Sequence, residues 1–275
     1  MTVRHRVLPR RGRLLVSTDV HGNLEDMRAL DARFRDVRRA EPETYWVVLG
    51  DVVHAPNAAA RVDRPDLYDH DDGSAAIVRM LLDLRAEDPE HVLFVLGNHD
   101  HAHVGGPKTR KFHRDEAAAL EATLTPEAIA ELRALFEPAL LAVAAPNGVL
   151  LTHGAPDDAL VSLAELDGVP LDVRRMTERQ ARVVFTLLGS YGQPAATCAK
   201  MLAQVSAASG LDLRVVVHGH DKSEDGFFYE GGNQVCPVLF GAPRAEKRFV
   251  LLDLAARYER AEDLRDGLEI LRLHA

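Results

Sequence analysis

Five short apolar runs in this chain each give way, within a few residues, to side chains that can bind a metal. The runs are Leu14-Leu15-Val16 before Asp19 and His21, Trp46-Val47-Val48-Leu49 before Asp51, Val92-Leu93-Phe94-Val95-Leu96 before Asn98 and His99, Val149-Leu150-Leu151 before His153, and Leu213 to Val217 before His220. Short β-branched runs bounded by Gly and Asp read as buried strands. Ligands of open α/β sheets gather at the carboxyl ends of the strands, so these five edges deliver Asp, His, Asp, Asn, His and His to one rim. That set predicts a binuclear metal site.

The donor mixture sets the chemistry. Carboxylate oxygen and imidazole nitrogen suit borderline first-row ions, Mn²⁺ first, with Fe or Zn²⁺ as alternatives, and one Asp can bridge two ions about 3.5–4 Å apart. Two such ions can clamp a phosphate and carry the hydroxide that attacks it. A further His beside them can protonate the leaving alcohol.

At these residues the chain resembles the calcineurin-like metallophosphoesterase superfamily. The motif order of that superfamily is matched by Asp19-Val20-His21, Gly50-Asp51, Gly97-Asn98-His99-Asp100, His153-Gly154 and Gly219-His220. A lone Asp-x-His would be weak, but five motifs in order, each after a predicted strand, are specific. The C-terminal half is similar to the serine/threonine phosphoprotein phosphatases of bacterial type. The similar segments are His153 to Asp157 with Ser162 to Leu166, Gly219 to Phe228, and Phe240-Gly241-Ala242-Pro243 before Phe249 to Asp253. The resemblance covers roughly residues 14 to 254. It implies that Asp19 and His21 bind the first metal, that Asp51 bridges, that Asn98, His153 and His220 bind the second, and that His99 is the general acid. His218, beside the Gly-His pair, reads as a packing or supporting residue.

Departures from the family pattern bear on the substrate. Phosphoprotein phosphatases continue Gly-Asp as Gly-Asp-x-x-Asp-Arg-Gly, where the Asp orients the acid His and the Arg grips phosphate. Here the segment runs Gly50-Asp51-Val52-Val53-His54-Ala55-Pro56, so neither group stands in its place. A second family Arg, seven residues before a Gly, is matched by Arg182 with Gly189, which makes Arg182 the expected phosphate clamp because a guanidinium can hold two oxygens at once. Arg61 and Arg64, in the Pro-, Asp- and Arg-rich loop from His54 to Gly73, are candidates to replace the lost Arg. Lys222 stands where relatives with Gly-His-x-His carry a further ligand, and this is no departure, since the phosphoprotein phosphatases also lack that His. Arg244 and Ala245 stand where the family has an active-site Tyr.

A chain of 275 residues with 47% hydrophobic content can bury a two-sheet core as one domain. The formal net charge of −9 argues against nucleic acid as a partner, since its binders need a basic face. No run approaches the roughly 20 apolar residues needed to cross a bilayer, and the basic stretch from Arg4 to Arg13 has no apolar segment suited to a signal peptide. Two cysteines, Cys198 and Cys236, are too few for a disulfide framework, so a cytoplasmic location with reduced thiols is expected.

The expected organisation is a basic leader over 1–13, a metallophosphoesterase domain over 14–254 and a helical tail over 255–275. Helices are expected over Leu24 to Val37 and Ser74 to Arg85, with another opening at Thr125-Pro126. The alanine-rich stretch Glu116 to Leu141 is expected to pack over a sheet. Strand–helix alternation from Leu14 to Leu96 implies a parallel sheet, and closer strands after Leu140 a mixed one. The resemblance implies a four-layer α/β/β/α sandwich. His101 and His103 read as rim or loop residues beside His99. The leading function is a phosphomonoesterase related to protein serine/threonine phosphatases. A hydrolase of nucleotides, dinucleoside polyphosphates or phosphodiesters is the alternative, and a non-catalytic phosphate-binding module the third reading.

Overall fold

The computed structural model describes residues 2–274. Its strands are β1 (His5–Val7), β2 (Arg13–Ser17), β3 (Thr44–Val48), β4 (Val92–Phe94), β5 (Ala142–Ala145), β6 (Val149–Leu151), β7 (Val215–Val217), β8 (Phe227–Glu230), β9 (Gln234–Pro237), β10 (Arg248–Asp253) and β11 (Ile270–Arg272). The α-helices are α1 (Leu24–Ala40), α2 (Ala58–Asp63), α3 (Pro65–Tyr68), α4 (Ser74–Glu87), α5 (Asn98–His101), α6 (Glu116–Glu121), α7 (Pro126–Phe136), α8 (Glu178–Gly189) and α9 (Ala195–Ser209).

The strands form two sheets, in the orders β11-β10-β2-β3-β4 and β1-β5-β6-β7-β9-β8. β2, β3 and β4 run parallel, joined through α1 and α4, while β10 is antiparallel to β2. The second sheet is mixed, with β5 antiparallel to β6 and β6 parallel to β7. Both match the expectation from strand spacing.

Alternation along each strand builds the layers. On β2, Leu14 and Val16 join Val47, Val143, Val149 and Val215 in the core between the sheets. Leu15 points the other way, into a cluster with Trp46, Met27, Leu30 and Phe34. Successive strand side chains face opposite sides, so a strand buried on both faces is apolar along most of its length, and a buried polar group such as Ser17 is paired, here with the Trp46 indole N–H. The helices cover the outer faces because their own stripes are apolar. In α1, Met27, Leu30 and Phe34 lie on one side, and each such buried side chain contributes roughly 1.5–3 kcal/mol. Asn23 starts α1 by accepting the Asp26 amide at 3.0 Å, and Thr125 starts α7 by accepting from Ala128. The result is an α/β/β/α sandwich of two mixed sheets.

Both ends of the chain differ from expectation. The leader is built into the fold: β1 pairs with β5, and the Arg4 guanidinium, buried, donates to the carbonyls of Glu137 and Ala139 at 2.6 and 2.8 Å. The tail, whose alternating charge and Leu suggest an amphipathic helix, instead makes a short 3-10 turn at Ala261–Asp263 and then β11, paired to β10. A free edge on β10 offers backbone hydrogen bonds that a solvated helix would leave unused. No helix among the described residues is long and apolar enough to cross a membrane.

Candidate metal centre and active site

The carboxyl ends of β2, β3, β4, β6 and β7 all open onto one rim at the seam between the sheets, and six donor side chains meet there. Asp51 is central. Its Oδ1 accepts the His99 amide at 2.8 Å, which leaves Oδ2 facing Nε2 of His21 at 3.6 Å and Nε2 of His153 at 3.4 Å. Asp19 Oδ1 lies 3.6 Å from His21 Nε2, and Asn98 Oδ1 lies 3.1 Å from His153 Nε2. Donors about 2.1 Å from a shared ion sit roughly 3–3.5 Å from one another, so these separations suit cation binding. Asp51 belongs to two donor groups, one with His21 and His99 and one with His153 and His220.

Backbone contacts aim these side chains. His21 Nδ1 lies 3.1 Å from the Val53 carbonyl and His153 Nδ1 lies 2.6 Å from the Leu49 carbonyl. A carbonyl only accepts, so both rings hold a proton on Nδ1 and turn Nε2 into the site. Asp19 Oδ2 accepts the His220 amide at 2.9 Å and the Thr18 hydroxyl, which turns Oδ1 toward the site. Asp100, fully buried, accepts the amides of Gly97, Asp51 and Val52 and pins the β3 and β4 ends together. At Gly97 and Gly219 a Cβ would collide with Asp51 and with Thr18 and Asp19 respectively, so close backbone approach requires glycine.

Strain is concentrated at the same place. Among the described residues, the non-glycine positions with positive φ are Asp19, His21, Asp51, His54 and His220, at 51°, 41°, 52°, 70° and 68°. Such conformations persist where the surroundings over-determine them, and they gather at functional sites.

The electrostatics favour cations. Burial raises the cost of charge on Asp51, yet His153 and His99 outweigh it and hold its carboxyl well below the usual range. Burial also opposes charge on His153, but Asp51 and Asp19 raise it to about 9. Burial, with His153 beside it, lowers His220 to about 4, leaving a neutral imidazole able to ligate.

Asp51, Asn98, His99 and His220 line a cavity of about 1030 Å³. Its lining includes the cations Lys108, Arg110, Lys111, Arg182 and Lys222 and the aromatic rings of Phe185 and Tyr191. Tyr191 stacks on His220 at 5.0 Å between ring centroids. Lys111 Nζ lies 3.2 Å from His21 Nε2 and 4.2 Å over the Phe240 ring, and burial, reinforced by Lys222, lowers it to about 8.

The sequence profile of the calcineurin-like phosphoesterases matches residues 12–230. The chain belongs to that family. It is a metal-dependent phosphoesterase, a hydrolase of phosphorylated substrates. No curated protein sequence matches it. Among solved structures, a protein serine/threonine phosphatase from Saccharomyces cerevisiae aligns over 92% of this chain and 77% of its own, at 14% identity and a TM-score of 0.60. A mutant of a cold-active protein tyrosine phosphatase aligns over 92% and 78%, at 13% identity and a TM-score of 0.58. At such identities the likeness is one of fold.

The candidate arginines lie differently. Arg182 lines the cavity but is bound to Asp157 at 2.8 Å, with 62% of its side chain exposed. Arg61 pairs with Asp71, and Arg64 with Asp66 and Glu224. His218 is fully buried with Nδ1 2.9 Å from the Gly219 carbonyl, as a packing residue would be. His101 and His103, read from sequence as rim residues, are both buried. His101 Nε2 is held by the Leu171 carbonyl at 2.6 Å, and His103 sits beneath the site against Phe136. Sequence reasoning also passed over Lys111, His54, Glu116 and Glu121. The basic run Lys108 to Lys111, in the loop that follows the Gly-Asn-His motif, was the available signal for the first.

Cys198 and Cys236 are free and buried, and burial pushes the Cys198 thiol up to about 12. Neither thiol is poised to react.

Proposed function

We propose that the chain is a binuclear phosphomonoesterase of the protein serine/threonine phosphatase kind, with Asp19 and His21 holding one divalent cation, Asn98, His153 and His220 the other, and Asp51 both. The observation that carries this reading is the position of Asp51 Oδ2 between His21 and His153. When bound, two cations supply the charge that neutralises phosphate oxygens and the acidity that makes water a nucleophile at neutral pH. Mn²⁺ is the first choice, with Fe or Zn²⁺ as alternatives for the same donors.

The chain's own residues do the rest. His99 Nε2 faces the site 4.0 Å from Asp51 Oδ2, where it can pass a proton to the leaving oxygen. Lys111, with no carboxylate partner among the described ion pairs, leads the grip on phosphate in place of the Arg the family motif would put at Ala55. Arg182 adds a second cation from the cavity wall when it lets go of Asp157.

Hydrolysis of nucleotides or dinucleoside polyphosphates is the second reading. The Lys and Arg side chains of the cavity lining, with exposed Phe185 and Tyr191 beside them, favour it, since they suit additional phosphates and a stacked base. A panel of phosphopeptides, nucleotides and phosphodiesters assayed with added Mn²⁺ tests the two. Turnover of phosphopeptides above nucleotides supports the first, and the reverse order overturns it in favour of the second. We place the enzyme in the cytoplasm, acting on a diffusible phosphorylated substrate; its formal net charge of −9 and its two free cysteines agree with that reading.

A further inference from the structure

Four side chains outside the expected metal ligands stand in an unbroken file from the site to α6. His99 Nδ1 faces His54 Nδ1 at 2.8 Å, His54 Nε2 faces His103 Nε2 at 2.9 Å, and His103 Nδ1 faces Glu121 Oε1 at 2.8 Å. The three histidines are buried, while the Glu121 side chain is 30% exposed.

A proton inventory gives the file one direction. A neutral imidazole has one N–H and one lone pair, and a carboxylate has only acceptors. Glu121 therefore takes the Nδ1 proton of His103, so His103 Nε2 accepts from His54 Nε2. His54 Nδ1 is then an acceptor, and His99 Nδ1 must donate to it. His99 Nε2, the nitrogen that faces Asp51, is left for chemistry. Burial, with His103 and His21 nearby, pushes His54 down to about 2, so its ring is neutral as this arrangement requires.

We infer that Glu121, His103 and His54 are positioning residues that hold one proton of His99 on Nδ1 and fix its ring, so that Nε2 faces the leaving oxygen. This rests on His99 acting as the acid. Nε2 takes up a second proton from cavity water before the step; in the step that Nε2–H bond breaks and its electron pair stays on nitrogen. The proton bonds to the leaving oxygen, which takes the electron pair of the breaking P–O bond. His99 keeps its Nδ1 proton on His54 throughout. Glu116 is buried, its Oε1 accepts the Phe112 amide at 2.9 Å, and its Oε2, without a hydrogen-bond partner among the described residues, lies 3.3 Å from His99 Nδ1 and faces the imidazolium charge.

The backbone agrees with a selected position. His54 holds φ at 70°, a strained conformation for a side chain of its size, and its amide donates to Ser74 Oγ at 3.2 Å. It occupies the place where the phosphoprotein phosphatase motif has an Asp, so the acceptor is replaced by a histidine that passes the demand on to a distant carboxylate. The third group of a catalytic triad acts by the same logic.

The test compares an alkyl phosphate with p-nitrophenyl phosphate, using the Mn²⁺-loaded full chain. His54→Ala should lower kcat on the alkyl ester about 10–100-fold, with KM and bound metal near wild type and a smaller loss on the aryl ester. His54→Asn, which offers an acceptor and tolerates positive φ, should recover part of the loss. Glu121→Ala, at the half-exposed end and free of backbone strain, should shift kcat in the same direction. In the His99→Ala background, His54→Ala should cost nothing further on the alkyl ester.

Equal losses on both esters, or a full His54→Ala loss in the His99→Ala background, would overturn the inference in favour of packing. Loss of a bound ion in His54→Ala or Glu116→Gln would also overturn it, since His54, His99 and Glu116 lie close enough to hold a cation themselves. Full activity of His99→Ala defeats the acid assignment along with the inference. Loss in His99→Ala with none in His54→Ala and Glu121→Ala defeats the inference alone.

Discussion

Asp51 and His153 meet across the seam between the two sheets, with Oδ2 of one 3.4 Å from Nε2 of the other. Asp51 follows β3 of the first sheet and His153 follows β6 of the second. The same pair of edges is joined again where His153 Nδ1 donates to the Leu49 carbonyl at 2.6 Å. The proposed centre therefore exists only when both sheets are docked.

Asp51→Asn removes the charge that both donor groups share. The variant should lose most of its bound metal and activity, whereas Asp212→Asn, at an exposed ion pair with Arg257, should keep both. Metal analysis of the purified proteins checks this, and two tightly held ions in Asp51→Asn would reject the bridging role.

His99→Ala should reduce kcat by about 10²–10⁴-fold on alkyl phosphate esters while its metals stay bound. The reduction should be smaller with p-nitrophenyl phosphate, whose leaving group needs little protonation. Steady-state kinetics on the two esters decides, and equal reductions would point to a structural role.

Lys111→Ala should weaken inhibition by inorganic phosphate and lower kcat/KM by about 10–100-fold, in line with a charged hydrogen bond worth roughly 1.5–3 kcal/mol. Arg182→Ala should cost less, because its guanidinium is engaged by Asp157 on the surface. A larger loss in Arg182→Ala than in Lys111→Ala would return the leading role to the arginine.

Asp26, buried at the start of α1, accepts from Lys247 and lies 2.8 Å from Nε2 of His274. Burial raises the cost of its charge, but the partners win and hold its carboxyl below the usual value. A depressed folded-state value means that the carboxylate stabilises the fold above the unfolded value of about 3.9, and that this contribution is lost as pH falls through the lower folded value. Asp26→Ala should destabilise the wild-type fold by roughly 3–5 kcal/mol at neutral pH, because it strands the buried Lys247 ammonium. Urea denaturation at pH 7 and at pH 3 measures both parts, and the difference between variant and wild type should narrow at pH 3.

Much of the site was legible in the chain before any fold was known. Each proposed ligand follows its strand by a few residues, and a strand buried on both faces announces itself as a continuous apolar run. Local spacing therefore carried Asp19, His21, Asp51, Asn98, His153 and His220 to one rim. The helices over α1 and α4 were equally readable, since their stripes and their starts at Asn23 and Gly73 lie within one segment.

What the chain alone left open depends on contacts between segments far apart in sequence. The stretch from Arg4 to Arg13 reads as a basic leader, yet the Arg4 guanidinium is satisfied by carbonyls more than 130 residues away. The tail has the periodicity of a helix, and the unpaired edge of β10 makes it a strand. His54, His103 and Glu121 come from three loops and helices, and no pattern of spacing joins them. Their hydrogen bonds form only once α5 and α6 pack beneath the loop after β3. Local sequence determined where the donors stand along each strand, and tertiary packing decided which other groups face them.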